Sequence, residues 1–191
     1  MGHSQADKAR THARIVELAA RRFRQTGLDG IGVADLMKDA GVTAGGFYKH
    51  FASRDALVAE AVEAAFGSWD RMVSEATAKD GGRVTFAGLL EQYLTEDHSD
   101  DPSDGCTFAA LAPDLARSDP QTQAIASRQL NRSIDLLTSL IDADDDGSSR
   151  QKAIVALSTM VGAMSLSRVA QDKSLSREIL QAALIAMRQS A

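Results

Sequence analysis

The segment 33–51 places two short helical patterns on either side of a glycine. Residues 33–40 form an amphipathic run, Gly41 gives a tight-turn signal, and 44–50 can form about two helical turns. Thr43, just before the second run, is predicted to cap it with its hydroxyl group. Two helices joined by a short glycine-containing turn describe a helix-turn-helix. On the pattern alone, a plain connector between two helices of a bundle is an equal alternative.

The second helix of this motif is predicted to present a binding face. Phe47 and Phe51 are four residues apart, so both should point inward. Glycines in this helix cost about 1 kcal/mol each relative to alanine, a cost that is compatible with the close approach of a DNA backbone. The residues expected to meet DNA are Thr43, Ala44, Gly45, Gly46, Tyr48, Lys49 and His50.

Three stretches within 13–66 carry a resemblance to a known family. They read ARIVELAARRFRQTGLDGIGV, ADLMKDAGVTAGGFYKHF and ASRDALVAEAVEAAF, and the run 48–51 with 53–57 is the most specific part. Together they resemble the N-terminal DNA-binding domain of TetR/AcrR-type transcription regulators. In that family the first helix is a support, the next two form the helix-turn-helix, and the fourth leads to a sensing domain. Gly32 and Gly46 stand where the family often has a hydroxyl-bearing residue.

The resemblance implies an all-α chain with two functional parts. Residues 1–54 would bind DNA, and 55–191 would sense a ligand and dimerise. The implied partners are a palindromic double-stranded DNA operator, a small-molecule effector and a second copy of the chain, paired through the last two helices. The implied role is a repressor that the effector releases from DNA.

The charge distribution agrees with a DNA-binding N-terminal part. Residues 1–54 contain nine Lys or Arg and five Asp or Glu, which gives a charge of +4. The whole chain has a net charge of −5, so residues 55–191 carry −9. A basic part on an acidic body fits a protein that presents one end to a polyanion. Lys8 and Arg10 are predicted to form a mobile arm. Arg54 begins a predicted helix, where a cation opposes the dipole, and is therefore predicted to contact phosphate.

The rest of the chain is predicted to be helical throughout. The expected helices are 7–26, 33–40, 44–50, 54–78, 85–98, 106–116, 120–141, 150–170 and 175–190, with Ser53 and Asp119 as caps. The last two carry more apolar residues than a monomer core needs, which favours pairing with a symmetry mate as a four-helix bundle. No alternating strand pattern and no phosphate-binding glycine motif occurs in the sequence.

Several classes of function are disfavoured. Cys106 is the single cysteine and the four histidines lack ligand spacing, so no metal site and no cofactor are expected. The acidic loop 99–105 lacks the carboxylate spacing of a calcium-binding loop. No nucleophile–base pair stands out, so the chain is not expected to be an enzyme. Without a membrane-spanning run or secretory signal at its start, the chain is expected to be cytoplasmic and not bound to a membrane.

The body is predicted to contain an apolar effector pocket. Its expected lining is Phe66, Trp69, Met72, Tyr93, Cys106, Phe108, Met160 and Met164. No basic cluster lies in 55–191, so a mostly apolar effector is expected. Cys106 is either a small buried hydrophobe, which the composition of its helix favours, or a thiol that senses oxidants and electrophiles. Two other classes stay open: an all-α interaction module without DNA binding, and a small all-α enzyme.

Overall fold

A computed structural model describes residues 5–141 and 148–189, and within these residues every regular element of secondary structure is a helix. The all-α fold class predicted from the sequence is confirmed. The helices are α1 (Gln5–Thr26), α2 (Val33–Asp39), a 3-10 helix that we name the recognition turn (Ala44–Lys49), α3 (Arg54–Ala65), α4 (Gly67–Lys79), α5 (Phe86–Tyr93), α6 (Glu96–Asp100), α7 (Thr107–Leu115), α8 (Pro120–Leu140), α9 (Ser149–Val169) and α10 (Lys173–Gln189).

Side chains cap several of these helices as the sequence predicts. The Ser53 hydroxyl accepts from the Ala56 N–H at 3.1 Å at the start of α3. The Asp119 carboxylate accepts from the N–H groups of Gln121 and Thr122 ahead of α8, whose first residue is Pro120. Such caps contribute about 1 kcal/mol each. The sequence also predicts an acidic loop over 142–149, and its residues 142–147 lie outside the described residues.

Two long predicted helices are each broken in the structure. The helix predicted for 54–78 ends at Ala65, and α4 restarts at Gly67. The helix predicted for 85–98 ends at Tyr93, and the Thr95 hydroxyl caps a new helix, α6, by accepting from the His98 N–H at 3.2 Å. Both predictions of a continuous helix were wrong, because apolar periodicity continues through a break that is made by polar contacts.

The head, which we define as α1, α2, the recognition turn and α3, packs around one apolar cluster. Ile15, Phe23 and Met37 are almost fully buried in it, and α3 supplies Leu57 and Val62. The same cluster continues into α7 and α8 of the body through Leu111, Leu115, Ile125 and Ala126. The head therefore has no separate core, since apolar side chains of the body complete it.

A second apolar cluster holds the body together. It joins α5, α8, α9 and α10, and its fully buried members include Leu90, Tyr93, Met160 and Met164. Among the described residues α9 alone has the length and apolar composition of a membrane-spanning helix. One face of α9 is buried in this cluster, and a helix in a protein core can be as apolar as a membrane-spanning helix. The fold thus supplies an ordinary packing reason for its apolar character.

Candidate nucleic-acid interface and body cavity

The recognition turn is a 3-10 helix of six residues and not the two turns of α-helix that the sequence predicted. Its first hydrogen bond runs from the Gly46 N–H to the Thr43 carbonyl at 2.9 Å, which is 3-10 spacing. The Thr43 hydroxyl makes no capping bond, so the prediction of a Thr43 cap was wrong. A tight turn of two glycines leaves no regular first α-helical turn for a side chain to cap. The hydroxyl group stays exposed.

Buried phenylalanines fix the orientation of this turn. Phe47 and Phe51 are 3% and 2% exposed, and their rings lie 5.5 Å apart. Burying each of them contributes about 1.5–3 kcal/mol. Gly46 is also buried, and a Cβ there would lie 3.1 Å from the Val42 side chain. The absence of a side chain at Gly46 therefore serves packing within the head, and the sequence had assigned this residue to the binding face.

The outer side of the turn is open to solvent. Tyr48 is 80% exposed, and its ring meets that of Phe47 edge-on at 5.2 Å. The exposed residues of the predicted binding face are Thr43, Ala44, Gly45, Tyr48 and Lys49. Beside them a cleft of about 500 Å³ separates the turn from the first helical turns of α1. The cleft gives a concave surface next to the exposed side chains.

Basic side chains of α1 line the far wall of this cleft. Lys8 and Arg14 face it from α1, opposite Lys49. Lys8 and Arg10 belong to the regular helix Gln5–Thr26, and Arg10 pairs with Asp7 one helical turn away. The prediction of a mobile arm was therefore wrong for these two residues. Their helical placement holds Lys8 at the edge of the same surface as Lys49.

His50 ends the turn half-buried, and its Nδ1 atom makes no hydrogen bond within the described residues. Burial lowers the pKa of His50, and the neighbouring His12, Lys8 and Lys49 add to the effect. His12 stacks on Phe51 with ring centroids 4.5 Å apart, and its Nε2 atom lies 2.6 Å from the Glu60 carboxylate. Sequence reasoning missed His12, because its partners are remote along the chain.

Arg54 begins α3 as predicted, but its cation has partners inside the head. The guanidinium donates to the Leu28 carbonyl and lies 3.0 Å from the Asp29 carboxylate. About a third of the side chain, 38%, remains exposed. These contacts account for a cation at a helix N-terminus without a phosphate. The phosphate contact of Arg54 stays a prediction.

The body contains a small cavity of about 20 Å³, room for about one water molecule. Six of its lining residues were predicted from the sequence: Phe66, Trp69, Met72, Tyr93, Cys106 and Phe108. The other lining residues are Ser68, Thr107, Gln129, Ser133 and Leu157. Met160 and Met164 lie in the second apolar cluster and are not part of the lining. Both are fully buried core residues because α9 turns that face toward α8 and α10.

The cavity wall carries an unsatisfied polar group. Tyr93 is fully buried, and its hydroxyl makes no hydrogen bond within the described residues. Burial raises the pKa of Tyr93, and the adjacent Cys106 thiol adds to this effect. Buried Gln129 and Ser133 add further polar atoms to the wall. A buried hydroxyl without a partner costs free energy, so a ligand that offers it a hydrogen-bonding atom would recover that cost.

Cys106 lies between this cavity and the start of α7. Its Sγ atom accepts from the Ala109 N–H at 3.5 Å, so the thiol occupies the N-cap position. Its own N–H donates to Nε2 of His98 at 2.9 Å. The residue is half-buried, so both possibilities from the sequence, a small buried hydrophobe and a reactive thiol, stay open. Among the described residues, no group of three or more His, Cys, Asp or Glu is placed to hold a metal ion.

An all-helical body below a head with an exposed, phenylalanine-anchored recognition turn defines a helix-turn-helix DNA-binding transcription regulator. Residues 15–61 match the family model described as bacterial regulatory proteins, tetR family. The resemblance to the TetR/AcrR family that the sequence predicted is confirmed for this N-terminal segment. No curated protein sequence matches it.

Solved structures with this fold align over nearly the whole chain. A TetR transcriptional regulator from Chloroflexus aurantiacus has a TM-score of 0.81 at 19% identity, covering 97% of this chain and 98% of the other. A TetR-family regulator from Cytophaga hutchinsonii has a TM-score of 0.78 at 20% identity, covering 99% and 98%. E. coli NemR in its reduced form has a TM-score of 0.76 at 20% identity, covering 94% and 96%. At these identities the likeness shows a shared fold.

Proposed function

We propose that this protein is a homodimeric repressor that binds a palindromic operator and is released by a small, neutral, mostly apolar effector. The observation that carries the proposal is the exposed face of the recognition turn, where Tyr48 and Lys49 stand on a rigid base of buried phenylalanines. Side chains held in this way can meet base edges and phosphates at little cost in conformational freedom. As a DNA-binding regulator the protein would act in the cytoplasm.

The N-terminal and C-terminal parts of the chain would have different functions. Residues 1–54 would contact DNA, with 43–50 entering a major groove, and 55–191 would sense the effector and form the dimer. A twofold dimer would place its two recognition turns about 34–36 Å apart, or a multiple of one helical turn of DNA. The excess of basic residues in 1–54 supports this orientation, since the acidic body would be repelled by phosphate.

An exposed apolar stripe on the last helices supports the dimer. On α9, Ile154, Val155, Leu166 and Val169 are between 44% and 81% exposed, although the opposite face of the helix is buried. On α10, Ile185 is 57% exposed. An exposed apolar stripe on α9, with an exposed isoleucine on the neighbouring helix α10, matches the half of a four-helix bundle that a symmetry mate completes.

The body cavity supports an apolar, neutral effector. Among the described residues no Lys or Arg lines it, and its lining side chains carry hydroxyls, an amide, an indole N–H and a thiol as polar groups. A ligand larger than one water molecule requires the lining helices to separate. Release from DNA follows if the effector binds this opened arrangement more tightly than the DNA-bound one. The unsatisfied Tyr93 hydroxyl favours an effector with one hydrogen-bonding oxygen or nitrogen on an apolar frame.

The test is selection of fragments that the protein retains from random-sequence and genomic DNA. We expect a palindromic consensus, and affinity for it that falls steeply as salt rises, because a dimer that neutralises about six or more phosphates releases their counterions. Retention of no preferred sequence at low salt would contradict the proposal. That outcome would instead favour an all-α interaction module.

The half-buried thiol of Cys106 favours a second candidate, a thiol-based sensor that acts through the same cavity wall. NemR, which shares the fold, has a structure described as the reduced form. The test compares release of selected DNA by mild peroxide or an electrophile in the parent and in Cys106→Ser. Release from the parent alone supports the thiol sensor, and equal behaviour of the two proteins rules it out.

A further inference from the structure

The loop 101–106 and the break between α3 and α4 meet α1 at a buried polar junction. We infer that Arg24 is the positioning residue that couples the body cavity to the DNA-binding head, through the carbonyl group of Ala65. The inference rests on the proposed function, because it describes how occupation of the cavity reaches the recognition turn. Its main support is a set of hydrogen bonds that converge on the Ala65 carbonyl.

Arg24 is an arginine of the head buried against the body. The residue is 5% exposed, and its guanidinium donates through Nε to the Ser103 carbonyl at 2.8 Å and through Nη1 to the Ala65 carbonyl at 2.9 Å. Nη2 also donates to the Ser103 carbonyl and lies 3.7 Å from the Asp104 carboxylate. One planar group of α1 thus holds both the loop 101–106 and the end of α3.

The Ala65 carbonyl accepts from three side chains, and the helix breaks there. Besides Arg24, the Thr107 hydroxyl donates to it at 3.0 Å and the Ser68 hydroxyl at 3.0 Å. A carbonyl that is committed to side chains at the end of α3 lets the chain turn at Phe66 before α4 begins. The break is therefore maintained by residues from α1, α4 and α7 together.

Two of these donors also form the wall of the cavity. Ser68 and Thr107 both line it, and the single O–H of Ser68 is shared between the Ala65 carbonyl and the Gly105 carbonyl, which lies 3.1 Å from its oxygen. Cys106, between Gly105 and Thr107, lines it as well. The path from the cavity wall to α1 therefore consists of one carbonyl group and the side chains bonded to it.

This arrangement resists partial adjustment. Separating Ser68 or Thr107 from the Ala65 carbonyl releases one acceptor of Arg24, and moving the loop 101–106 displaces the other, the Ser103 carbonyl. Burial lowers the pKa of Arg24, which reflects how poorly water reaches its guanidinium. Leaving its donors without acceptors is costly, so the guanidinium follows the two carbonyls and moves α1 with them. Because α1 packs on the recognition turn through the shared core, the movement reaches the DNA-binding face.

The experiment fills the cavity in two independent ways and follows amide hydrogen exchange in the head. Benzyl methanethiosulfonate attaches a benzylthio group to Cys106, the single cysteine, and mass spectrometry confirms one label per chain. Ser133→Leu adds volume from α8, which also lines the cavity, without a reagent. In the otherwise unchanged protein we expect either change to alter exchange in 5–26 and 44–51 by about fivefold or more, the lower range of coupling between two sites.

Matched variants then test the junction. Arg24→Lys keeps the charge but cannot reach both carbonyls, and Thr107→Val removes only the hydroxyl on the cavity side. In each of them we expect the response of the head to fall below about twofold, whereas exchange around the cavity still changes. Arg22→Lys is the control, since Arg22 pairs with Asp39 within the head and should preserve the full response.

Each other result contradicts the inference. Unchanged amide exchange in the head of the parent after the cavity is filled overturns the inference. A response of the same size in Thr107→Val as in the parent also overturns it. If Arg24→Lys loses its helical circular dichroism, Thr107→Val alone decides the question. The measurement contains no DNA, so a protein that transmits the change but selects no operator contradicts the proposed function and leaves the coupling intact.

Discussion

At the scale of single residues, Tyr48 and Phe47 are neighbours with opposite surroundings. Tyr48 is 80% exposed and Phe47 is 3% exposed. We expect Tyr48→Ala and Lys49→Ala each to weaken binding to the selected operator by about 1–3 kcal/mol, through lost base or phosphate contacts. Fluorescence anisotropy of labelled DNA measures the affinity, and sedimentation should show an unchanged dimer.

The control for this prediction is Phe47→Ala. It should lower the free energy of unfolding by about 3–5 kcal/mol, because it empties part of the core under the turn. Unchanged operator affinity in both Tyr48→Ala and Lys49→Ala would remove the recognition turn as the DNA contact.

His98 gives the protein an expected sensitivity to acid. Its Nδ1–H donates to the Tyr93 carbonyl at 2.7 Å, and its Nε2 accepts from the Cys106 N–H at 2.9 Å. Burial lowers the pKa of His98. The hydrogen bond to the Tyr93 carbonyl raises it by a smaller amount, and nearby Arg168 lowers it further. The unfolded chain therefore binds a proton more readily, and the stability that neutral His98 contributes is present above about pH 6.5 and is lost as the pH falls.

Urea unfolding at about pH 7 and at about pH 5 measures this effect, and we expect lower stability at the acid value. His50 has a lowered pKa as well, through burial first, so it contributes in the same direction. His98→Gln and His50→Gln should each reduce the difference between the two pH values. If neither variant changes the difference, the histidines are not its source.

At the scale of elements, α9 is apolar on two faces. Ala156, Met160 and Met164 pack in the body, whereas Val155 and Leu166 point to solvent. We expect Val155→Glu and Leu166→Glu to produce helical monomers, because a charge on that face opposes pairing without touching the core. Leu180→Glu should unfold the body, since Leu180 is 3% exposed within the second cluster.

Sedimentation velocity at micromolar concentration, together with circular dichroism, separates the two results. A monomeric parent protein would contradict the dimer at once. A dimer that survives both Val155→Glu and Leu166→Glu would place the interface on another surface.

The helices that the sequence predicted correctly are those governed by local signals. Residues such as Asp119 and Pro120 act on their immediate neighbours, so α8 begins where expected. The break after Ala65 depends on Arg24 and Thr107, which lie 41 and 42 positions away along the chain. A periodic pattern contains no information about such partners. The cap at Thr95 is local, and the apolar run from Phe86 obscured it.

The candidate sites divide in the same way. The inward position of Phe47 and Phe51 follows from their spacing, and the structure confirms it. Six lining residues of the cavity were predicted because large adaptable side chains are typical of such a wall. Its polar members, Gln129 and Ser133 among them, were missed, since only the packing of α8 against α3, α7 and α9 brings them there. His12 was missed for the same reason.

At the scale of the whole molecule, the head and the body share one apolar cluster. Leu57 and Val62 of α3, with Leu111 and Ile125 of the body, complete the core under α1. We expect a fragment of residues 1–54 to lack stable helix, because it would leave Ile15, Phe23 and Met37 exposed to water. Circular dichroism with thermal melting measures this, and the full chain is the comparison. A cooperative melting transition in the fragment would show that residues 1–54 fold without α3 and the body.

The shared cluster also limits how this protein can be fused to parts of other regulators. A hybrid biosensor that joins the head, from α1 to the end of α3, to the sensing half of another regulator would cut through the packed interior. The foreign half would have to bring its own equivalents of Leu111, Leu115 and Ile125, matched in shape to α1 and α3. Exchange of the outward side chains of the recognition turn leaves that interior intact. If the recognition turn contacts DNA as proposed, new DNA specificities are therefore easier to engineer here than new pairings of head and body.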